Sequence, residues 1–120
     1  MKAEERDPSD FLADIIDSIE KVESFVEGFV FEEFSADTKT IYAVVRALEI
    51  IGEATKNLPD SLKVKHPEVP WRDMAGFRDK VVHGYFGVDL EVVWDTAIKD
   101  VPFLKPLIVK ILHENEVESG

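Results

Sequence analysis

Several common features are absent from this 120-residue chain, and each absence narrows what the protein can be. The chain contains no cysteine, which excludes disulfide bonds, thiolate metal sites and cysteine nucleophiles. No apolar run approaches the ~20 residues that a membrane-spanning helix needs, and the charged start of the chain does not resemble a signal peptide. We therefore expect a cytoplasmic protein that does not contact membranes.

Positive charge is also scarce. The chain has 14 Lys and Arg residues against 25 Asp and Glu residues, a formal net charge of −11. This balance opposes broad electrostatic attraction to nucleic acids. The acidic surplus lies mainly in the first third of the chain and near its end, whereas the segment from Lys56 to Lys80 is close to neutral. Any contact with a nucleic acid must therefore be local.

Apolar residues recur at helical spacing and no useful strand-like alternation occurs, which predicts an all-α fold. Capping residues, glycines and prolines divide the chain into four main helices. These are expected from Asp7 or Ser9 to about Gly28, from Ser35 or Asp37 to about Asn57, from Pro70 to Gly84 and Gly87, and from Asp89 to about His113.

The intervening segments complete the predicted up-and-down helical bundle. Residues 29–34 form an aromatic connector, and a short connector helix is expected around residues 61–65. Pro102 and Pro106 should kink the fourth main helix. We expect a single domain over residues 1–115, with a frayed acidic tail over residues 116–120.

The predicted third helix carries an arginine, a histidine and a tyrosine at fixed spacing. On a regular helix Asp79 and His83 lie one turn apart, so the carboxylate can hold the imidazole. Arg78 and Tyr85 share a face, whereas Arg78 and His83 are about 140° apart in projection. The guanidinium and the imidazole can meet only in three ways: the long arginine side chain spans the gap, the helix is distorted at Gly84, or a second protomer supplies one of the two groups.

These residue types suit phosphate chemistry. An imidazole exchanges protons near neutral pH, and a guanidinium fork binds two phosphate oxygens. Each residue also has a structural alternative: His83 as a helix-end histidine, Arg78 as an ordinary ion-pair partner, and Tyr85 as an interface aromatic. The residues alone leave both interpretations open.

A second polar row lies on the second main helix, where Arg46, Glu49 and Glu53 recur on one face beside Tyr42. Most such rows are solvated salt bridges worth about 0.3–0.5 kcal/mol per pair. Alternatively, the row faces the third helix, and Glu49 or Glu53 orients Arg78.

The remaining signals argue against other classes of site. The three histidines, at positions 66, 83 and 113, lack the paired spacing of metal-binding helices. The chain also lacks a phosphate-cradling glycine loop, a dinucleotide fingerprint and a serine nucleophile elbow. We expect neither a metal nor a cofactor.

Arg78, four intervening residues, His83, one further residue and Tyr85 resemble the signature of HEPN-domain proteins, specifically the HepT-like toxin group. The likeness extends over most of the chain in order and spacing. It includes residues 46–54, Leu58-Pro59, Val69-Pro70-Trp71-Arg72, Val88-Asp89 and Trp94.

The resemblance implies a helical-bundle homodimer whose two motifs line one cleft and form a metal-independent ribonuclease. His83 would act as base or acid, Arg78 would stabilise the phosphate, and Asp79 would orient His83, leaving a cyclic phosphate on the product. It also implies a partner, a nucleotidyltransferase antitoxin of the MntA type that transfers AMP to Tyr85 and so inactivates the toxin.

Two other hypotheses remain open. Some HEPN-class proteins bind without cutting, so the chain is alternatively a non-catalytic dimeric module that binds a nucleotide or docks a nucleotidyltransferase. The third hypothesis is a purely structural helical adaptor, for which Arg78, His83 and Tyr85 would all be replaceable. RNA cleavage by wild type and by His83→Ala separates the first hypothesis from the others.

Overall fold

The structure, a computed structural model, describes residues 6–82 and 87–119. Over these ranges the chain is helical and forms no β-sheet, apart from one antiparallel bridge between Val82 and Val88. The all-α prediction is therefore confirmed. The elements are α1 (Pro8–Val26), α2 (Phe31–Ser35), α3 (Thr38–Lys56), α4 (Asp60–Lys65), α5 (Trp71–Ala75), α6 (Phe77–Val81), α7 (Leu90–Asp95), a π-helical segment (Thr96–Asp100) and α8 (Val101–Ser119).

Helix α1 begins and ends where the sequence predicts. The Asp7 side chain caps it by accepting a hydrogen bond from the Ser9 backbone N–H at 2.8 Å, and Pro8 stands in the first turn. After the helix, Gly28 adopts a φ of +81°, a conformation that favours glycine and turns the chain toward α2. The predicted aromatic connector is wrong in part, because residues 31–35 form the short helix α2.

Helix α3 also matches its predicted bounds. The Asp37 side chain accepts a hydrogen bond from the Thr40 N–H at 3.0 Å, and Asn57 is the C-terminal cap. The apolar stripe of α3, formed by Ile41, Val44, Leu48, Ile51 and Thr55, is buried along its whole length, and the Thr55 hydroxyl donates to the Ile51 carbonyl at 2.7 Å. That bond satisfies the one polar group of the stripe.

The core lies where α1 packs against α3 on one side and α8 on the other. Its fully buried side chains come from all three helices: Leu12, Ile15, Ile19, Leu48, Ile51, Leu104, Ile108 and Ile111. Helices α5 and α6 pack on a different part of α3. The three long helices thus form the scaffold on which α5 and α6 are held.

The single third helix predicted from Pro70 to the glycines is wrong. Residues 71–75 and 77–81 form two short helices, and Gly76 ends the first by donating its N–H to the Arg72 carbonyl at 3.1 Å. Helix α6 then ends at Val81, because Val82 is extended and pairs with Val88. His83 and Tyr85 lie outside the described residues, as do Gly84 and Phe86.

The fourth predicted helix is present but subdivided. Asp89 caps α7 by accepting a hydrogen bond from the Val92 N–H at 3.2 Å, as predicted. A π-helical segment then precedes Pro102, and the Val101 N–H bonds to the Thr96 carbonyl five residues earlier. Such wide turns occur where a helix must adjust its hydrogen bonding. Helix α8 extends to Ser119, beyond the expected end near His113 and into the expected tail.

Candidate functional site

Arg78 is held at the surface by the helix that contains it. In α6, Phe77 and Val81 are one turn apart and both are buried, so this face anchors the short helix on the core. The Arg78 side chain is consequently directed away from the core and is 57% exposed. A large part of the guanidinium is therefore available to a ligand.

Glu49 on α3 fixes the orientation of Arg78. The Arg78 Nε donates a hydrogen bond to the Glu49 Oε2 at 3.1 Å, and the Glu49 side chain is only 24% exposed. Among the described residues the terminal nitrogens make no hydrogen bond; the Arg78 Nη1 lies 3.8 Å from the Asp79 Oδ1. The terminal N–H groups are therefore not committed to a hydrogen bond with a described residue, and a guanidinium in this state can bind two oxygens of a phosphate.

The polar row on α3 therefore divides into two parts. Glu49 makes the contact with Arg78 that was one of the two alternatives for this row. Glu53 instead lies near Arg46, with the Arg46 Nη1 3.8 Å from the Glu53 Oε1 and both side chains 62% exposed. A pair with this separation and exposure contributes little to stability.

Gly52 determines where α5 and α6 sit on α3. A Cβ atom at this buried position would lie 3.2 Å from the Ala75 carbonyl oxygen and 3.3 Å from the Met74 carbonyl oxygen. The backbone of α5 thus packs directly on the glycine, and three residues later Arg78 reaches Glu49. Gly52 was not among the predicted site residues, although a lone glycine inside an apolar helical pattern is a signal of close packing.

Two of the predicted site residues, His83 and Tyr85, lie outside the described residues, and their roles stay predictions. Asp79 was expected to orient His83; its side chain is 78% exposed beside Arg78. Residues 6–82 and 87–119 contain no group of three or more histidine and acidic side chains that could hold a metal ion. No helix in the described chain is long and apolar enough to cross a membrane.

His66, one of the three histidines considered above as metal ligands, lies close to two carboxylates instead. Its Nδ1 lies 3.6 Å from a Glu68 carboxylate oxygen, and its Nε2 lies 4.0 Å from a Glu114 oxygen on α8. Its backbone carbonyl accepts a hydrogen bond from the Trp71 indole at 2.9 Å. These contacts link the segment before α5 to α8 and to the start of α5.

Comparison with known proteins agrees with this architecture. A family model described as "Ribonuclease HepT-like" matches residues 15–111, a span that runs from α1 to α8 and includes Glu49 and Arg78. A protein of Thermococcus cleftensis named "Probable ribonuclease HepT" is 52% identical over 106 residues, 88% of this chain and 96% of that protein.

A second relative, "Putative RNase MJ0127" of Methanocaldococcus jannaschii, is 46% identical over 114 residues, covering 95% of this chain and 94% of that protein. No solved structure gives a significant match. The resemblance seen in the sequence is thereby confirmed along nearly the whole chain. This protein belongs to the HepT-like ribonuclease family.

Proposed function

We propose that this protein is a metal-independent endoribonuclease in which Arg78 binds the phosphate at the cut and His83 transfers the proton. The observation that carries the proposal is the hydrogen bond from the Arg78 Nε to Glu49, which orients an otherwise exposed guanidinium. A preorganised cation stabilises developing phosphate charge more effectively than a mobile one. The names of the relatives, which denote ribonucleases, support the same class of substrate.

The chemistry requires one bond to form and one to break. The ribose 2′-oxygen attacks the neighbouring phosphorus, and the bond from phosphorus to the 5′-oxygen of the next nucleotide breaks. His83 accepts the proton of the 2′-hydroxyl or donates a proton to the departing 5′-oxygen. Arg78 binds the nonbridging oxygens, where negative charge accumulates. The products carry a 2′,3′-cyclic phosphate and a 5′-hydroxyl.

The same proposal extends to regulation. As the toxin of a toxin–antitoxin pair, the protein would form a homodimer and act with a nucleotidyltransferase antitoxin of the MntA type. The Tyr85 hydroxyl would attack the α-phosphorus of ATP, release pyrophosphate and retain AMP. Because Tyr85 is two residues from His83 in sequence, the added group would bring bulk and negative charge close to the RNA phosphate.

The test is RNA cleavage in EDTA by protein whose intact mass shows whether an adenylyl group is present. Unmodified wild type should cleave, whereas His83→Ala and Arg78→Ala should be slower by roughly 10²-fold or more, the usual worth of a general acid or base or of a charge-stabilising donor. Arg72→Ala is the matched control, since Arg72 is an exposed arginine on the neighbouring helix α5. Loss of activity in this control as well would contradict the assigned role of Arg78.

A second candidate function is favoured by one observation, the net charge of −11. Because this charge opposes broad attraction to RNA, the alternative is a non-catalytic dimeric module that binds a nucleotide or docks a nucleotidyltransferase. It predicts that unmodified wild type and His83→Ala are equally inert on RNA, while a nucleotide raises the melting temperature through preferential binding to the folded state.

A further inference from the structure

The first half of α3 carries a net positive charge. Residues 38–48 include Lys39 and Arg46 and contain no aspartate or glutamate, in a chain whose net charge is −11. The same segment carries Tyr42, whose side chain is 68% exposed. A basic segment with an exposed aromatic ring has the features of a surface that binds single-stranded nucleic acid, and this one lies on the helix that holds Arg78 through Glu49.

The basic and aromatic residues form one stripe that leads to the Arg78 site. At 3.6 residues per turn, Lys39, Tyr42, Arg46 and Glu49 fall within about 80° of the helix circumference. Arg46 is 62% exposed and Lys39 is also exposed. The side chains of Lys39 and Tyr42 make no hydrogen bond, ion pair or ring contact with another described residue. The side chains of the stripe are therefore accessible to a ligand along α3 as far as Glu49, which contacts Arg78.

Helices α5 and α6 run along α3 toward this stripe. Ala75 lies against Gly52, and Arg78 reaches Glu49, so the chain advances toward the beginning of α3 as it passes from α5 to α6. With a rise of 1.5 Å per residue, Tyr42 lies about 10 Å from Glu49 along the helix axis. Stacked nucleotides advance about 3.4 Å each along a strand, so this distance corresponds to about three nucleotides.

We propose that Lys39, Tyr42 and Arg46 form a subsite for single-stranded RNA beside the Arg78 site. The Tyr42 ring stacks on an unpaired base, while Lys39 and Arg46 contact backbone phosphates on either side of it. Proteins that bind single strands combine these two elements, aromatic platforms and flanking cations. The long, exposed contact between Arg46 and Glu53 is easily exchanged for a phosphate. The inference deepens the proposed function and rests on RNA being the substrate.

Phe103 on α8 is the other strongly exposed ring within residues 6–82 and 87–119, and its surroundings are of the opposite kind. Phe103 is 63% exposed and borders a cavity that is also lined by Asp73, Lys80 and Asp100. The Lys80 Nζ pairs with Asp100 at 3.2 Å, so the uncompensated charge there is negative. A phosphate is repelled from such a surface. Phe103 is consequently a matched control for Tyr42, with similar exposure and no unpaired cation beside it among the residues that the structure describes.

The experiment measures binding of a fluorescently labelled single-stranded oligoribonucleotide, by anisotropy, in the His83→Ala background so that the RNA stays intact. Tyr42→Ala should weaken binding roughly 5- to 150-fold, which corresponds to about 1–3 kcal/mol for one stacked base. Tyr42→Phe should bind like the parent, because it keeps the ring. Phe103→Ala should also bind like the parent. Lys39→Gln and Arg46→Gln should each reduce the slope of log affinity against log salt concentration by about 1, the contribution of one phosphate contact.

An abasic scan of the oligonucleotide locates the stacked base. Removal of one particular base should weaken binding to the parent protein. The same removal should have no further effect on a protein in which Tyr42 is already alanine. Unchanged affinity in Tyr42→Ala would overturn the subsite. So would a loss of affinity accompanied by a fall in molar mass on sedimentation, which would assign Tyr42 to an interface between protomers.

The outcomes also separate this inference from the proposed function. If unmodified wild type binds RNA through Tyr42 but does not cleave it, the ribonuclease proposal fails and the subsite stands. If wild type cleaves RNA and Tyr42→Ala leaves KM unchanged, the subsite fails and the ribonuclease proposal stands. Absence of both binding and cleavage would overturn the two together.

Discussion

Substitution of Gly52 tests how the site is positioned. The structure places the backbone of α5 on this glycine, so that an added Cβ atom would lie 3.2 Å from the Ala75 oxygen and 3.3 Å from the Met74 oxygen. Both distances are a few tenths of an ångström shorter than ordinary van der Waals contacts. Since both neighbours are backbone atoms, relief requires movement of α5 as a whole. Arg78 lies directly beyond α5 and should move with it.

Two opposing contributions determine the effect on stability. Replacing a glycine inside a helix by alanine favours the helix by about 1 kcal/mol, whereas overpacking typically costs about 1–3 kcal/mol. Gly52→Ala should therefore lower the free energy of unfolding by about 0–2 kcal/mol. Gly52→Val has two more methyl groups and lower helix propensity, so it should cost about 2–4 kcal/mol. For 120 residues, each kcal/mol corresponds to a shift of about 4 °C in the melting temperature.

The assay combines urea unfolding with RNA cleavage under conditions where each variant is folded. The cleavage rate per folded molecule should fall from wild type to Gly52→Ala and again to Gly52→Val, because the contact between Arg78 and Glu49 loosens. Glu53→Ala, the adjacent exposed position, should change stability by less than about 0.5 kcal/mol. A Gly52→Val protein as stable as wild type, or one that is destabilised but cleaves at the normal rate when folded, would refute the reasoning.

Further predictions concern two ion pairs. Glu49→Ala removes the hydrogen-bond acceptor of Arg78 and should slow RNA cleavage about tenfold. Urea unfolding should show that the free energy of unfolding falls by less than about 1 kcal/mol. An equal slowing of cleavage by Glu53→Ala would contradict the assignment. On α8, the hydrogen bond with Glu23 raises the pKa of Lys105 above its ordinary value. The stabilising effect of this interaction is complete below the pKa that Lys105 has in the unfolded chain. It disappears as the pH rises through the raised pKa of Lys105 in the folded protein. The difference in melting temperature between wild type and Lys105→Gln should therefore shrink in strongly alkaline solution; a constant difference would contradict this.

Much of the fold follows from the sequence because its determinants are local. Asp89 caps its helix as predicted, and Asp7 and Asp37 are each one of the two starts that the sequence allowed, since an N-terminal cap depends only on the next three residues. Helix α2 was missed because five residues are too few to show helical periodicity. Gly76 was missed as a break because a lone glycine is often tolerated inside a helix.

The site shows where sequence reasoning reaches its limit. The sequence left open whether the row on α3 is a set of solvated salt bridges or orients Arg78, and it could not choose between Glu49 and Glu53. That choice depends on how far α5 and α6 are displaced along α3, and the displacement is fixed by the contact between Gly52 and Ala75. Contacts between distant segments of the chain carry no local signal, so this detail emerges only from the packed structure.

The most direct test of the central claim is the chemistry of the RNA ends left by unmodified protein in EDTA. The account predicts a 2′,3′-cyclic phosphate on one fragment and a 5′-hydroxyl on the other, produced by wild type and not by His83→Ala or Arg78→Ala. Fragments with a 3′-hydroxyl and a 5′-phosphate, or intact RNA after incubation with wild type, would contradict it.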